Sequence, residues 1–376
     1  MPEVLCKPVE TRSEKKQFLH LPWKLYRDDP HWIPPLRVNQ KELVGYSHHP
    51  FYDDGESQTF LAYQDGQPCG RIAAIVNHAH NQRFGDQIGF FGFFESIDDQ
   101  AVADALFDAA RDWLVERGMI TMRGPMNPSL HYEIGLLVDG FDSPPMFMTT
   151  YNPPYYQPLV ENYGFTTAQN LFSYWGHISY LDNKQDKKVK VIADQAAERF
   201  NVKTRRLDKS NFDKDVRLFL DIYNRAMVNH WGFVPMTKSE LDHLVGTLKY
   251  LIVPEITSIA EVDGRPVGAV FGLLDYNPRI KTSDGRLFPF GLFRLLWNRR
   301  GIKKIRILAA EVLPEFQKWG LSLILLDRLV PDIREWGIDE AEFSWIAEDN
   351  KMSWKTIERG GGERIKTHRI YDRALE

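Results

Sequence analysis

The sequence predicts an α+β protein assembled from one structural unit used twice. Two observations carry this reading. Residues 60–76 and 258–274, set 198 positions apart, share Ala62/Ala260, Asp65/Asp263, Gly66/Gly264, Pro68/Pro266 and Gly70/Gly268. Asp-Gly between two apolar runs marks a β-hairpin, and a matched pair of hairpins points to an internal duplication. The second observation is that the elements following each hairpin recur in the same order.

In the first copy a helix over 14–27 precedes the hairpin. A strand over 87–95, a helix over 98–117 stopped by Gly118, and a strand over 120–124 follow it. In the second copy helices over 212–229 and 238–250 precede the hairpin. A strand over 304–312, a helix over 321–336 stopped by Gly337, and a strand over 340–346 come after it. Glycine beyond the last apolar turn is the expected helix stop at both places. Residues 364–371 alternate as a closing strand. The charged stretch 182–199 reads as a solvated linker helix, which divides the chain into lobes at 1–181 and 201–376 joined by 182–200.

The bulk properties fit this division. A chain of 376 residues exceeds one ordinary core. With 43% hydrophobic and 26% charged residues it has the composition of a soluble globular protein, and a net charge of −4 gives no general pull toward nucleic acid. Two cysteines, Cys6 and Cys69, make no disulfide framework. The first residues lack the apolar core of a signal peptide, and no run approaches the ~20 apolar residues of a spanning helix, so the expected location is cytoplasmic. No Cys/His cluster has metal-ligand spacing; His78 and His80 alternate as if on a strand end, two ligands and no more.

The most informative stretch is Val312-Leu313-Pro314-Glu315-Phe316-Gln317-Lys318-Trp319-Gly320-Leu321-Ser322. An apolar strand leads in and an amphipathic helix leads out, so the turn between them offers unpaired N–H groups and the positive end of a helix dipole to a diphosphate. This stretch resembles motif A of the GNAT acyltransferase superfamily, a Gln/Arg-x-x-Gly-x-Gly/Ala turn after a strand ending in Val-x-Pro. Gln317, Gly320 and Ser322 occupy its signature positions, Ser322 departing from the usual Gly or Ala. The resemblance covers nearly the whole chain and is sharpest over 305–372. It implies two tandem α/β/α sandwich lobes, each a mixed, mostly antiparallel central sheet flanked by helices. It also implies acyl-coenzyme A as co-substrate, with no metal, held by Val312, Leu313, Gln317, Lys318, Trp319, Gly320, Leu321 and Ser322. Residues 343–361 resemble motif B, in which Asn350 would contact the pantetheine arm; Ile357 stands where the family often has an acidic Tyr.

The copies differ in two ways. At the motif A position the first has Ser96-Ile97-Asp98-Asp99-Gln100, without glycine and with two carboxylates that would repel phosphate, so the first lobe reads as degenerate. The second copy is also 21 residues longer between hairpin glycine and helix stop, since the offset grows from 198 (66 to 264) to 219 (118 to 337). The extra residues fall around 278–303 and are aromatic and basic together. They suit a lid over a greasy substrate, a patch on an anionic membrane surface through 288–300, or a loop packing its aromatics on the first lobe.

Acyl transfer from a thioester to an amine needs a base and, above all, positioning. Glu311, at the end of the strand before the turn, is the first candidate base; alternatively it pairs with Arg306 or Lys304. His230, in a loop the resemblance places beside the acceptor, is the second, and Tyr371 on the closing strand could border the same site. The sequence therefore predicts an N-acyltransferase moving an acyl group from acyl-coenzyme A to a small-molecule or lipid amine bound between the lobes. The pattern also resembles the ceramide synthase-like branch of tandem GNAT proteins, which implies a long acyl chain and a lipid amine. The competing expectations are a silent coenzyme-A-binding or scaffold protein and an aminoacyl-tRNA-dependent transferase. The amine, the acyl length and the oligomeric state stay open.

Overall fold

The computed structural model describes residues 3–182 and 184–375; residue 183 of the expected 182–200 linker lies outside the described residues. The chain divides into two compact units. One comprises Met1–Leu171, Asn277–Arg294 and Lys366–Glu376, the other Phe172–Tyr276 and Leu295–Ile365. The units are thus not the two halves of the sequence. Most of the closing strand, Glu363–Ala374, belongs to the first unit, and the end of strand Thr166–His177 belongs to the second.

In the first unit the strands run in the order Val4–Pro8, Glu56–Gln64, Gln67–Val76, Ile88–Ser96, Thr121–Gly124, then the closing strand. Neighbours are antiparallel except that Ile88–Phe90 runs parallel to Thr121–Arg123. In the second unit Glu340–Ala347 lies beside Lys304–Val312, followed by Arg265–Leu274, Thr257–Val262 and Val202–Arg205. Here too a single parallel ladder, Lys304–Ile307 with Glu340–Phe343, interrupts antiparallel pairing. Each unit is therefore the expected mixed sheet between helices. Among the described residues no helix is long and apolar enough to cross a membrane.

The duplicated sequence features have duplicated structural reasons. Asp65 and Gly66 have φ of 51° and 72°, Asp263 and Gly264 of 50° and 74°, the paired left-handed conformation that a tight two-residue hairpin turn needs. Gly70 and Gly268 let a helix press on the sheet. A Cβ at Gly70 would lie 2.7 Å from Leu106 of helix Gln100–Val115, and one at Gly268 would lie 3.2 Å from Leu325 of helix Leu321–Trp336. One residue further along, Arg71 points the other way and donates to Phe18 O of helix Arg12–Leu25 at 2.7 Å, so the two helices cover opposite faces. In the second unit Phe271 likewise stacks on Phe219 of helix Phe212–Ala226, with ring centroids 4.7 Å apart.

Two expectations need correction and a third needs an addition. His78 and His80 lie on a short helix, His78–Phe84, because the Asn77 side chain accepts the His80 N–H and starts one. The segment after residue 183 forms helix Lys184–Arg199, as expected, with most of its described side chains exposed, and it is also anchored to the second unit. Ala193 is buried, Lys190 pairs with Asp327 of helix Leu321–Trp336 at 3.4 Å, and Phe200 just beyond stacks on Trp319 at 4.3 Å. The insertion is also only half a loop, since it contains helices Asn277–Thr282 and Gly291–Leu296.

Two glycines make the packing argument testable. At Gly92 an added Cβ would fall 1.9 Å from Met126 O, whereas at Gly246, inside helix Lys238–Leu248, it would meet nothing within 4 Å. Gly92→Ala is expected to destabilise the protein by about 1–3 kcal/mol, and Gly246→Ala to stabilise it by about 0.5–1 kcal/mol, as read by urea unfolding.

Candidate active site

The site begins where two parallel strands part. The ladder between Lys304–Val312 and Glu340–Ala347 ends at Ile307 and Phe343, although both strands continue. Beyond this point Lys304–Val312 keeps its hydrogen bonds to Arg265–Leu274 on the other side as far as Val312. The chain then turns through Pro314–Trp319 and enters helix Leu321–Trp336 at Gly320, whose φ of 75° is left-handed.

The turn is pinned at its sides and open at its amides. Leu313 is fully buried and donates its N–H to Val267 O at 2.9 Å. Val312 and Leu321 are core residues, and the Gln317 amide donates to Val312 O at 3.4 Å, tying turn to strand. Trp319 is clasped between Phe200 and Phe316. No side chain caps the helix, and the N–H groups of Gly320, Leu321 and Ser322 have no partner among the described residues. Lys318 and Ser322 are exposed, and the nearest atom to a Cβ built on Gly320 would be 4.0 Å away, on Ala196. Unpaired amides at a helix N-terminus, with no carboxylate capping them, suit the diphosphate of a nucleotide thioester.

Glu311 precedes this turn and faces the other side of the sheet from Val312. It sits opposite Ala269 in the neighbouring strand, and its charge bears on Tyr223 of helix Phe212–Ala226. Its side chain makes no salt bridge or hydrogen bond among the described residues. Arg306 instead donates to Ser344, and Lys304 pairs with Glu340 at 2.8 Å, so neither cation is the partner of Glu311. Burial alone pushes the Glu311 carboxyl up from 4.5 to about 7.

The first unit holds the control for this arrangement. Arg71 pairs in register with Glu95 as Ala269 does with Glu311, so the two carboxylates occupy equivalent places. Glu95 has every partner that Glu311 lacks. Arg71 lies 3.3 Å away, and the Tyr26 and Tyr156 hydroxyls donate at 2.7 and 2.8 Å. Burial pushes Glu95 up, while Arg71 and the two hydroxyls pull it back. The parting of strands in the first unit is also filled. Strand Met126–Asn127 lies against Gly92, and the Asn127 side chain accepts the Phe93 N–H at 2.6 Å. Asp99 caps the following helix by accepting the Ala101 N–H at 2.9 Å, which occupies the end that is left open in the second unit.

The other expected residues separate. His230 is partly buried; burial pushes its imidazole down while Asp349 pulls it up. Its loop returns to the Glu311 neighbourhood through Phe233, whose ring meets Tyr223 edge-on at 5.4 Å. Asn350 is the N-cap of helix Lys351–Arg359, its side chain accepting the Ser353 N–H at 3.2 Å, which is a structural role. Tyr371 is 0% exposed in the first unit's core and donates its hydroxyl to Glu161 at 3.0 Å, so it is a packing residue. Among the described residues no group of three His, Cys, Asp or Glu could hold a metal ion. Sequence reasoning missed Tyr223, and it missed that Glu95 and Glu311 are counterparts. The pairing Arg71/Ala269 in the aligned hairpins was the available signal.

No family model matches the chain. It is 36% identical over 378 residues to a protein of Caulobacter vibrioides named bacterial ceramide synthase, covering 98% of this chain and 97% of that one. It is 33% identical over 377 residues to protein YghO of Escherichia coli, covering 99% and 95%. In fold it resembles a tandem GNAT protein from the clavulanic acid biosynthesis pathway, with a TM-score of 0.57 at 11% identity over 100% of this chain and 99% of that one. A GCN5-related N-acetyltransferase from Sphaerobacter thermophilus gives 0.54 at 11% identity over 99% and 96%.

The lone carboxylate has a signature in stability. A carboxyl whose folded value lies above its unfolded one holds its proton more tightly when folded, so stability falls as pH rises from about 4.5 through about 7. Glu311→Gln removes that penalty. The variant is expected to exceed the parent by about 1–2 kcal/mol at pH values above 7 and to match it near pH 4.5, in denaturant unfolding followed across pH.

Proposed function

The chain belongs to the tandem GNAT acyltransferase family that contains bacterial ceramide synthase and YghO, and we propose that it transfers an acyl group from acyl-coenzyme A to an amine. The observation that carries the proposal is the pairing, within one unit, of an open amide turn at Gly320 with an unpartnered carboxylate at Glu311. In this reading the N–H groups of Gly320, Leu321 and Ser322 hold the donor's diphosphate. The acyl-bearing end lies in the opening where strands Lys304–Val312 and Glu340–Ala347 part.

Glu311 is the general base. Near neutral pH an alkylamine is an ammonium ion and cannot attack. A carboxylate with a value of about 7 is half ionised there and basic enough to accept the ammonium proton, directly or through water. The amine nitrogen then bonds to the thioester carbon and gives up its second proton to water, the C–S bond breaks, and the departing thiolate takes up a proton to leave as coenzyme A thiol. With Asn350 occupied as a helix cap and no Tyr at Ile357, solvent supplies that last proton. Holding the two reactants together contributes much of the remaining rate.

The finer reading is a long-chain acyl donor and a lipid amine acceptor. Support comes from the name of the Caulobacter relative, at 36% identity over nearly the whole chain, and from the aromatic insertion ahead of the site strand.

The test is thiol release from palmitoyl-coenzyme A with and without a long-chain amino alcohol. Amine-dependent release supports the proposal; tight coenzyme A binding without release would overturn it in favour of a silent binding protein. Glu311→Gln is expected to lower kcat by about 100- to 10,000-fold with little change in donor affinity, and to abolish the rise of kcat/KM with pH through about 7. Gly320→Glu, which puts a charged side chain at the open amides, should weaken donor binding by more than about tenfold in calorimetry.

A further inference from the structure

The insertion after strand Arg265–Leu274 has two parts with opposite surroundings. Its base is clamped within the first unit. Asn277 donates to Pro145 O at 2.7 Å, Lys281 to Pro30 O, and Arg37 donates its N–H to Gly285 O at 3.0 Å. The Asp284 carboxylate is held by Trp23 and Arg37. Its tip is bare. Phe288, Phe290 and Phe293 are 74%, 69% and 61% exposed, and Leu292 is exposed between them. The base is therefore tied to the first unit by polar contacts, while the rings of Phe288, Phe290 and Phe293 are exposed.

Exposed rings on a clamped base are held ready for a surface. The charge around them selects which kind. Residues 277–303 contain seven basic side chains and one acidic one, in a chain whose net charge is −4. The single acid, Asp284, is held at the base by Arg37, with Arg286 a further 3.9 Å ion-pair partner, and Arg286 and Arg294 flank the rings and are exposed. A protein groove would match the rings alone. An anionic bilayer matches both features, because aromatic side chains enter the headgroup boundary while arginines meet lipid phosphates.

We infer that Phe288, Phe290, Leu292 and Phe293, with Arg286 and Arg294, form a docking tip that seats the protein peripherally on an anionic phospholipid surface. This deepens the reading of a lipid amine acceptor by supplying the surface from which such a substrate and a long-chain donor would be drawn. Docking is measured without turnover, so it can stand or fail independently of that reading.

The experiment is co-sedimentation of the full chain with phosphatidylcholine vesicles with and without phosphatidylglycerol. Binding is expected only with the anionic lipid and is expected to weaken as salt rises. The triple variant Phe288→Ser, Phe290→Ser, Phe293→Ser should lose at least about tenfold in vesicle affinity, and so should Arg286→Glu with Arg294→Glu. Unchanged thermal unfolding and donor binding would show that both variants are folded. Absence of parent binding to anionic vesicles would overturn the inference, as would equal binding by the folded variants. Unchanged vesicle binding with an altered preference for acyl chain length would instead identify the tip as a substrate lid.

Discussion

The site depends on a sheet that stops being a sheet part of the way along. Strands Lys304–Val312 and Glu340–Ala347 pair only through Ile307 and Phe343, yet Lys304–Val312 stays bonded to Arg265–Leu274 as far as Val312. One edge of the strand is thus fixed while the other is free, which is how backbone can face a ligand without the unit losing order. The first unit parts in the same place, beyond Phe90 and Arg123. There the gap is taken up by Met126–Asn127, and the Asn127 side chain satisfies Phe93 N–H. Buried backbone donors must be paired, and in the first unit the chain itself supplies the partner.

Glu95 and Glu311 show how one position can hold a buried carboxylate in two different environments. In the first unit a guanidinium and two hydroxyls make the buried carboxylate a fixed part of the core, and losing one partner of such a pair is costly. In the second unit Ala269 stands where Arg71 stands, and nothing replaces its charge. The carboxyl then settles its desolvation by holding a proton up to about pH 7.

Much of the site strand and helix was legible in the sequence because their signals are local. The strand over 304–312 and the helix over 321–336 match the structure at both ends, where an apolar run meets Pro314 and a helix meets Gly337 with φ of 83°. The Asp-Gly turns were equally plain. What failed to show depended on partners distant in sequence. The burial of Tyr371 reflects Glu161 and the first unit's core, and helix Lys184–Arg199 is held by Trp319 and Asp327, which no window of charged residues reveals. The equivalence of Glu311 with Glu95 was hidden by the insertion, which changes the offset between the copies before the site strand is reached. Local chemistry misled once in the other direction, where alternation at His78 and His80 suggested a strand and the Asn77 cap made a helix.

An open turn has to be rigid by means other than those that would close it. Asp99 in the first unit supplies the ordinary solution, a side-chain cap that stabilises a helix start by about 1 kcal/mol and occupies its amides. Helix Leu321–Trp336 forgoes that cap. Its fixing comes instead from the sides: buried Leu313 and Leu321, the Gln317 bond to Val312, and Trp319 between Phe200 and Phe316. None of these contacts uses the N–H groups of Gly320, Leu321 or Ser322. Order and availability are thereby carried by different atoms of the same turn, which leaves the amides open without the helix start fraying. The aromatic pair Phe200–Trp319 links this arrangement to the end of helix Lys184–Arg199, so the segment that joins the two repeats in sequence is also a structural support of the turn at Gly320.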